Sequence, residues 1–129
     1  MSETTYSLFQ QGRAQLKRGQ AAQAIVSLEK AKRGEPEKAS IREALGIAYF
    51  RSGRWEQAEA EFRKLLDLSP VNDYAHYALG RTLEKQGRSR EANAHYKLAS
   101  SLSPGSAQYR ARSSRNRRFQ LRNLLGVIG

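Results

Sequence analysis

The chain has 129 residues, about the length of one domain, and no cysteine, which excludes a disulfide framework and a thiolate metal site. Its net charge is +11, and residues 74–129 hold 11 basic residues against two acidic ones, so acidic partners are favoured at the C-terminal end. The start lacks the basic and apolar regions of a signal peptide, and no apolar run approaches the roughly 20 residues of a membrane span. We therefore expect a cytoplasmic protein.

Landmark residues recur through the chain at a spacing of about 34 residues. The three prolines of the sequence follow this spacing, and so do glycines and alanines at three further places in the period: Pro36, Pro70, Pro104; Gly12, Gly46, Gly80; Gly19, Gly53, Gly87; Ala24, Ala58, Ala92. A fixed period of this length predicts three stacked repeats, each too small to bury its own apolar face.

In the first repeat (about 5–38) we expect a helix from Thr5 to Lys17, capped by Thr4 or Thr5, and a second helix from Ala21 to Arg33. Arg18-Gly19-Gln20 forms the turn between them. Gly34-Glu35-Pro36 then ends the repeat, because the residue before a proline is disfavoured in helical geometry.

The second repeat (about 39–72) carries two apolar stripes at helical spacing, one on each side of the segment 51–54. Gly53 is expected in left-handed geometry at the end of the first helix. Gly46 falls inside that helix, where glycine costs about 1 kcal/mol relative to alanine. We expect it to permit close approach of the paired helix, with Ala58 as its small partner.

The third repeat (about 73–106) should contain helices Asp73–Lys85, capped by Asn72, and Ser89–Leu102. Ser106 stands where Asn72 does in the preceding period. We therefore expect a seventh, basic helix over about residues 106–123 that caps the third repeat, followed by a short amphipathic tail.

These features resemble the tetratricopeptide repeat (TPR) family. The second repeat matches that pattern best: Leu45, Gly46, Tyr49, Ala58, Phe62 and Pro70 are in place, and only the opening tryptophan is replaced, by Arg42. The resemblance covers about residues 4–105. It implies an all-α fold: a right-handed superhelical α-solenoid of three helix-turn-helix repeats with a C-terminal capping helix.

The resemblance also implies a concave groove, lined by the first helix of each repeat, that binds extended peptides or partner helices. The positions that would line it here combine aromatic and basic residues: Tyr6, Phe9, Arg13, Lys17, Glu43, Ile47, Phe50, Arg51, Tyr74, Tyr77, Arg81 and Lys85. Tyrosine and arginine are common in binding hot spots, and arginine pairs well with carboxylates. We expect a scaffold or adaptor for acidic or aromatic-containing peptides. The alternative for Tyr6, Phe9 and Tyr77 is packing against neighbouring repeats.

Some members of the family grip the free carboxylate of a chaperone tail through lysines and asparagines at set positions. Those positions hold Phe9, Arg13, Ala44, Tyr74 and Ala78 in this sequence. Only Arg13 is suited to the task, so we do not expect a carboxylate clamp.

The C-terminal segment has more charge than capping requires. It contains six arginines, followed by a short apolar stripe: Arg110, Arg112, Arg115, Arg117, Arg118, Arg122; Leu121, Leu124, Leu125, Ile128. One interpretation is a solvated helix whose apolar end folds back on the repeats. Alternatives are nucleic-acid binding through phosphate contacts, docking on a partner or a second copy, and adsorption to an anionic membrane.

No group of residues predicts an enzyme, a metal site or a cofactor site. His76 and His95 are the only histidines, and because they fall on different helices of the third repeat we expect them not to converge. No phosphate-binding Gly-x-x-x-x-Gly-Lys pattern occurs.

Overall fold

The structure, a computed structural model, describes residues 1–113. This part contains six complete helices, no strand, and further helical residues at 107–113. The helices are α1 (Glu3–Lys17), α2 (Ala21–Gly34), α3 (Ala39–Arg51), α4 (Trp55–Leu68), α5 (Asp73–Lys85) and α6 (Ser89–Leu102). The predicted bounds of α5 and α6 are confirmed, and the predicted start of α2 agrees as well.

The predicted caps are confirmed in α5 but not in α1. Asn72 caps α5, since its side-chain oxygen accepts from the Ala75 backbone N–H at 3.0 Å. Helix α1 begins two residues before the prediction because Ser2, not Thr4 or Thr5, is its cap and accepts from the Thr5 N–H at 3.1 Å. Thr5 is instead buried inside the first turn.

Each hairpin turns on a glycine in left-handed geometry. Gly53 has a φ of 72°, as the sequence predicts, and the equivalent Gly19 and Gly87 have values of 75° and 77°. The Arg54 N–H then donates to the Tyr49 carbonyl at 2.9 Å and closes the end of α3. An L-residue at Gly53 would be strained even though nothing crowds the site.

Gly46 permits close packing of α3 on α4, but the side chain that lies over it is large. A Cβ atom built on Gly46 would stand 2.6 Å from Phe62 Cε1 and 2.8 Å from Phe62 Cδ1. Phe62 lies one turn after Ala58, the partner that we expected. The expectation of a small partner is therefore wrong: the missing side chain of the glycine makes room for an aromatic ring, which buries far more apolar surface than alanine.

Two compact units are distinguished by their internal contacts: a first unit, Met1–Pro70, and a second unit that begins at Val71. The first unit comprises α1 to α4, and its largest fully buried side chains are Leu28, Ile41, Leu45, Phe62 and Leu65. The second unit comprises α5, α6 and the helical residues 107–113, with Leu79, Leu83 and Tyr96 fully buried.

Residues 19 apart face each other across a hairpin. In the first unit, Arg42 on α3 donates to Glu61 on α4 at 2.9 Å. In the second unit, His76 and His95 hold the equivalent places, with their Nδ1 atoms 3.1 Å apart and their rings stacked at 5.4 Å. The expectation that the two histidines do not converge is therefore wrong. In an antiparallel helix pair, two residues at similar distances from the turn lie side by side.

The helical residues 107–113 cover the α5–α6 hairpin, as a capping helix should. The ring of Tyr109 packs on Tyr77 at 4.9 Å, and the Gln108 amide donates to the Tyr77 hydroxyl at 2.8 Å. Arg112 forms a salt bridge with Glu84 at 3.1 Å. Burial and the hydrogen bond that it donates to Glu84 both raise the pKa of Tyr96, so this hydroxyl stays protonated.

Neither a helix suited to crossing a membrane nor a cluster of three or more metal-ligating side chains occurs among the residues that the structure describes.

Candidate functional site

A groove on the first unit lies between α1 and α3 and encloses about 470 Å³. We call it the α1–α3 groove; its lining residues are Phe9, Arg13, Leu16, Lys17, Ser40, Glu43, Ala44, Ile47 and Arg51. This volume falls in the range of small-ligand and peptide side-chain sites.

The two helices run in the same direction, because α2 connects them and pairs antiparallel with α1. On α1, Phe9, Arg13 and Lys17 follow one another at four-residue intervals and so lie on one face. The same interval places Glu43, Ile47 and Arg51 on one face of α3. The groove therefore has one ridge of charged and apolar side chains on each side.

At the cationic end of the groove, one hydrogen bond joins the last turns of α1 and α3. Arg51 on α3 donates to the Leu16 carbonyl in the last turn of α1 at 3.2 Å. Lys17 lies beside Leu16 and is exposed. The Leu16 carbonyl also accepts from the Gly19 N–H at 3.1 Å, so the Arg51 guanidinium is anchored on a carbonyl that the turn already holds in place.

The other charges stand above apolar side chains. The guanidinium of Arg13 lies 5.5 Å from the centre of the Phe9 ring, within range of a cation–π contact. Phe9 is only 7% exposed and Ala44 is likewise buried, whereas Ile47 is half-buried. The groove thus offers an apolar floor with an accessible guanidinium above it.

Glu43 is the one acidic side chain in the lining. Burial raises the pKa of its carboxyl above the ordinary value, and the positive charge of Arg13 offsets that effect only in part. Because the folded carboxyl keeps its proton to higher pH than the unfolded one, ionisation of Glu43 opposes folding. This cost is fully present above the folded pKa and disappears as the pH falls below the unfolded value.

Replacing Glu43 with glutamine should therefore leave the free energy of unfolding at pH 7 unchanged or higher, with the gain vanishing near pH 4. Urea titrations followed by the fluorescence of Trp55, the single tryptophan, measure this in the first unit. The matched control is Glu61→Gln, which removes a paired acid and should be destabilising. A loss of about 1 kcal/mol or more in Glu43→Gln would show that Glu43 supports the fold.

The structure brings together six of the twelve residues predicted to line the peptide groove: Phe9, Arg13, Lys17, Glu43, Ile47 and Arg51. Tyr6 is 53% exposed on α1 but does not line the α1–α3 groove. Phe50 packs edge-on against Trp55 at 5.1 Å. Leu16 and Ser40 were not predicted. Leu16 lies seven residues after Phe9, which is the helical interval that could have identified it.

The remaining predicted groove residues belong to α5 in the second unit. Tyr77 is only 6% exposed and packs on Tyr96 and Tyr109, so it contributes to the core of that unit. Tyr74 and Arg81 are half-buried, and Lys85 is exposed.

The predicted basic tail falls mostly outside the described residues. Of its six arginines, Arg110 donates to the Pro104 carbonyl and Arg112 pairs with Glu84. The others lie outside the described residues, as do the apolar positions predicted for self-association: Arg115, Arg117, Arg118, Arg122; Leu121, Leu124, Leu125, Ile128. Nucleic-acid binding and self-assembly through this segment stay predictions.

Comparison with known sequences identifies the family. The profile of the tetratricopeptide repeat matches residues 9–73 and again residues 43–107, which together span most of the chain. The chain belongs to the tetratricopeptide repeat family. No curated protein matches it significantly along the sequence.

Solved TPR structures share its fold. The first TPR of Spaghetti (RPAP3), bound to the HSP90 peptide SRMEEVD, is 19% identical with a TM-score of 0.88, over 94% of this chain and 96% of that one. The Sgt2 TPR domain from Aspergillus fumigatus is 18% identical with a TM-score of 0.88, over 99% and 86%. MamA is 22% identical with a TM-score of 0.87, over 90% and 68%. At these identities the likeness establishes the fold.

Proposed function

We propose that this TPR protein is an interaction module that binds an acidic or aromatic-containing peptide segment in the α1–α3 groove. The observation that carries the proposal is the composition of the groove: Arg13, Lys17 and Arg51 surround an apolar floor that includes Phe9 and Ile47. An acidic side chain would pair with the cations while an apolar or aromatic neighbour covers the floor.

The charge of the groove supports an acidic partner. Its lining holds three basic side chains and one acidic one, so its net charge is positive. Arginine in such a setting forms forked, charge-assisted hydrogen bonds with carboxylates. The fold offers a precedent, since the first TPR of Spaghetti was solved with a peptide that contains two glutamates and an aspartate.

The way in which the carboxylates are held should differ from a lysine–asparagine clamp. Of the first-unit clamp positions in this chain, Phe9 and Ala44 are buried and apolar. Arg13 is the clamp position of the first unit that offers hydrogen-bond donors. We therefore infer that carboxylates from within a peptide are recognised, with no need for a free chain end. A cytoplasmic location stays a prediction.

Reversing two charges of the groove, Arg13→Glu with Lys17→Glu, should weaken binding of an acidic peptide by at least about a hundredfold. Two attractive contacts become repulsive, and each tenfold loss corresponds to about 1.4 kcal/mol. The probe is fluorescein-labelled Ala-Ala-Phe-Ala-Glu-Glu at physiological salt, with its acidic residues at one end, and fluorescence anisotropy reports the dissociation constant.

The matched control is Lys30→Glu with Arg33→Glu, which makes the same change in net charge on exposed positions of α2 outside the groove. This variant should lose only the modest affinity that long-range attraction supplies. Equal losses in the two variants would contradict the proposal, since they would mean that overall charge, and not the groove, holds the peptide.

A further inference from the structure

Glu43 differs from the other acids on α2 and α4 that are buried or half-buried. Glu29 pairs with Lys32, Glu59 with Arg63, and Glu61 with both Lys32 and Arg42. Within residues 1–113, Glu43 has neither a salt bridge nor a hydrogen bond.

Glu43 is thus a half-buried carboxylate without a salt bridge or hydrogen bond among the described residues. Taking a carboxylate out of water costs free energy unless a donor or a cation compensates for the lost hydration. The positive charge of Arg13 lowers the pKa of Glu43, but the guanidinium is not close enough to form a salt bridge with the carboxylate. The acceptor capacity of Glu43 is therefore available to a ligand in the α1–α3 groove, where the carboxylate is part of the lining.

The position of Glu43 sets the distance between the charged residues of a bound peptide. Glu43 and Arg51 are eight residues apart on α3, which corresponds to about 12 Å along the helix. Lys17 stands at the same end of the groove as Arg51, because Arg51 contacts Leu16, the residue before Lys17. An extended peptide rises about 3.3 Å per residue, so it covers this distance in about four residues.

We propose that Glu43 selects the ligand: the α1–α3 groove reads a mixed-charge segment in which a basic residue meets Glu43 and an acidic residue about four positions away meets Lys17 and Arg51. This inference rests on the proposed function and narrows the class of peptide. A segment with acidic residues along its whole length would place a like charge against Glu43, which is unfavourable in a partly desolvated groove.

Three labelled peptides with blocked ends test the proposal: Lys-Ala-Phe-Ala-Glu-Glu, its reverse Glu-Glu-Ala-Phe-Ala-Lys, and Gln-Ala-Phe-Ala-Glu-Glu. Anisotropy titrations at physiological salt should give the native protein at least tenfold higher affinity for one of the two lysine peptides than for the glutamine peptide. In Glu43→Gln this preference should fall to about twofold or less. The control Glu56→Gln, on the exposed side of α4, should keep the full preference.

The outcomes separate this inference from the proposed function. If the native protein binds the lysine and glutamine peptides equally well, or if Glu43→Gln keeps the preference, Glu43 does not select the ligand and the groove remains a peptide site. If none of the three peptides binds at millimolar concentration, the proposed function fails and this inference fails with it.

Discussion

Replacing Gly46 with leucine should lower the free energy of unfolding of the first unit by several kcal/mol and leave little folded protein at 37 °C. Even a single Cβ atom at this position would stand 2.6 to 2.9 Å from three atoms of the Phe62 ring. The ring is 1% exposed in the core between the helices, so α3 and α4 would have to separate to admit the added side chain. Overpacking of a filled core typically costs about 1–3 kcal/mol, and here lost helix contacts add to it.

Two glycine controls isolate the cause of this loss. A Cβ atom on Gly105 meets nothing within 4 Å, so Gly105→Ala should change stability by less than about 0.5 kcal/mol. Gly53→Ala should cost about 1–2 kcal/mol through left-handed strain, without crowding. Urea unfolding followed by far-UV circular dichroism, which reports the helices of both units, measures all three. A midpoint for Gly46→Leu close to that of the native protein would contradict our account of the α3–α4 contact.

Replacing Arg42 with leucine should destabilise the first unit by about 3 kcal/mol, near the lower end of what breaking a buried pair costs. The Glu61 side chain is 6% exposed and accepts from Arg42 at 2.9 Å and from Lys32 at 2.8 Å. Without the guanidinium, one carboxylate oxygen is left buried with no partner. Lys32 still contacts the other carboxylate oxygen. Burial lowers the pKa of its ammonium, but Glu61 and Glu29 outweigh burial and raise it, so Lys32 stays charged in the variant.

The double variant Arg42→Leu with Glu61→Leu serves as the comparison, since it removes both charges and replaces them with apolar groups. It should recover much of the stability lost in Arg42→Leu, because a buried pair is often no better than well-packed apolar residues. The exposed pair Arg63–Glu59 is the second control, and Arg63→Leu should cost about 1 kcal/mol or less. Equal losses for Arg42→Leu and Arg63→Leu would mean that burial of Glu61 has little effect.

The repeat architecture was predictable because its determinants are local in the chain. Asn72 caps α5, Gly53 adopts left-handed geometry, and the residue before Pro70 lies beyond the end of α4. Each depends on the backbone of a few neighbouring residues, which a 34-residue period repeats. The start of α1 was missed because Ser2 and Thr4 are both good caps; in the structure Ser2 accepts from the Thr5 N–H, and Thr5 is buried.

The lateral contacts were less predictable. His76 and His95 meet through the alignment of two helices, and the same alignment joins Arg42 to Glu61. A spacing of 19 residues predicts a contact across the hairpin only when the length of the turn is known. The identity of the ring over Gly46 depends in the same way on how α3 and α4 cross.

By itself the sequence determined that this protein is a set of helical hairpins, where α5 and α6 begin and end, and that Arg13 and Lys17 share one helix face. Only the tertiary structure decided that Phe62 covers Gly46, that Tyr77 is withdrawn into a core, and that Glu43 has no salt bridge within residues 1–113 although it lies among the cations of the groove. The physical reason is range: turns and caps are set by residues a few positions apart, whereas burial and pairing depend on segments that are distant in the chain and meet only when the helices pack.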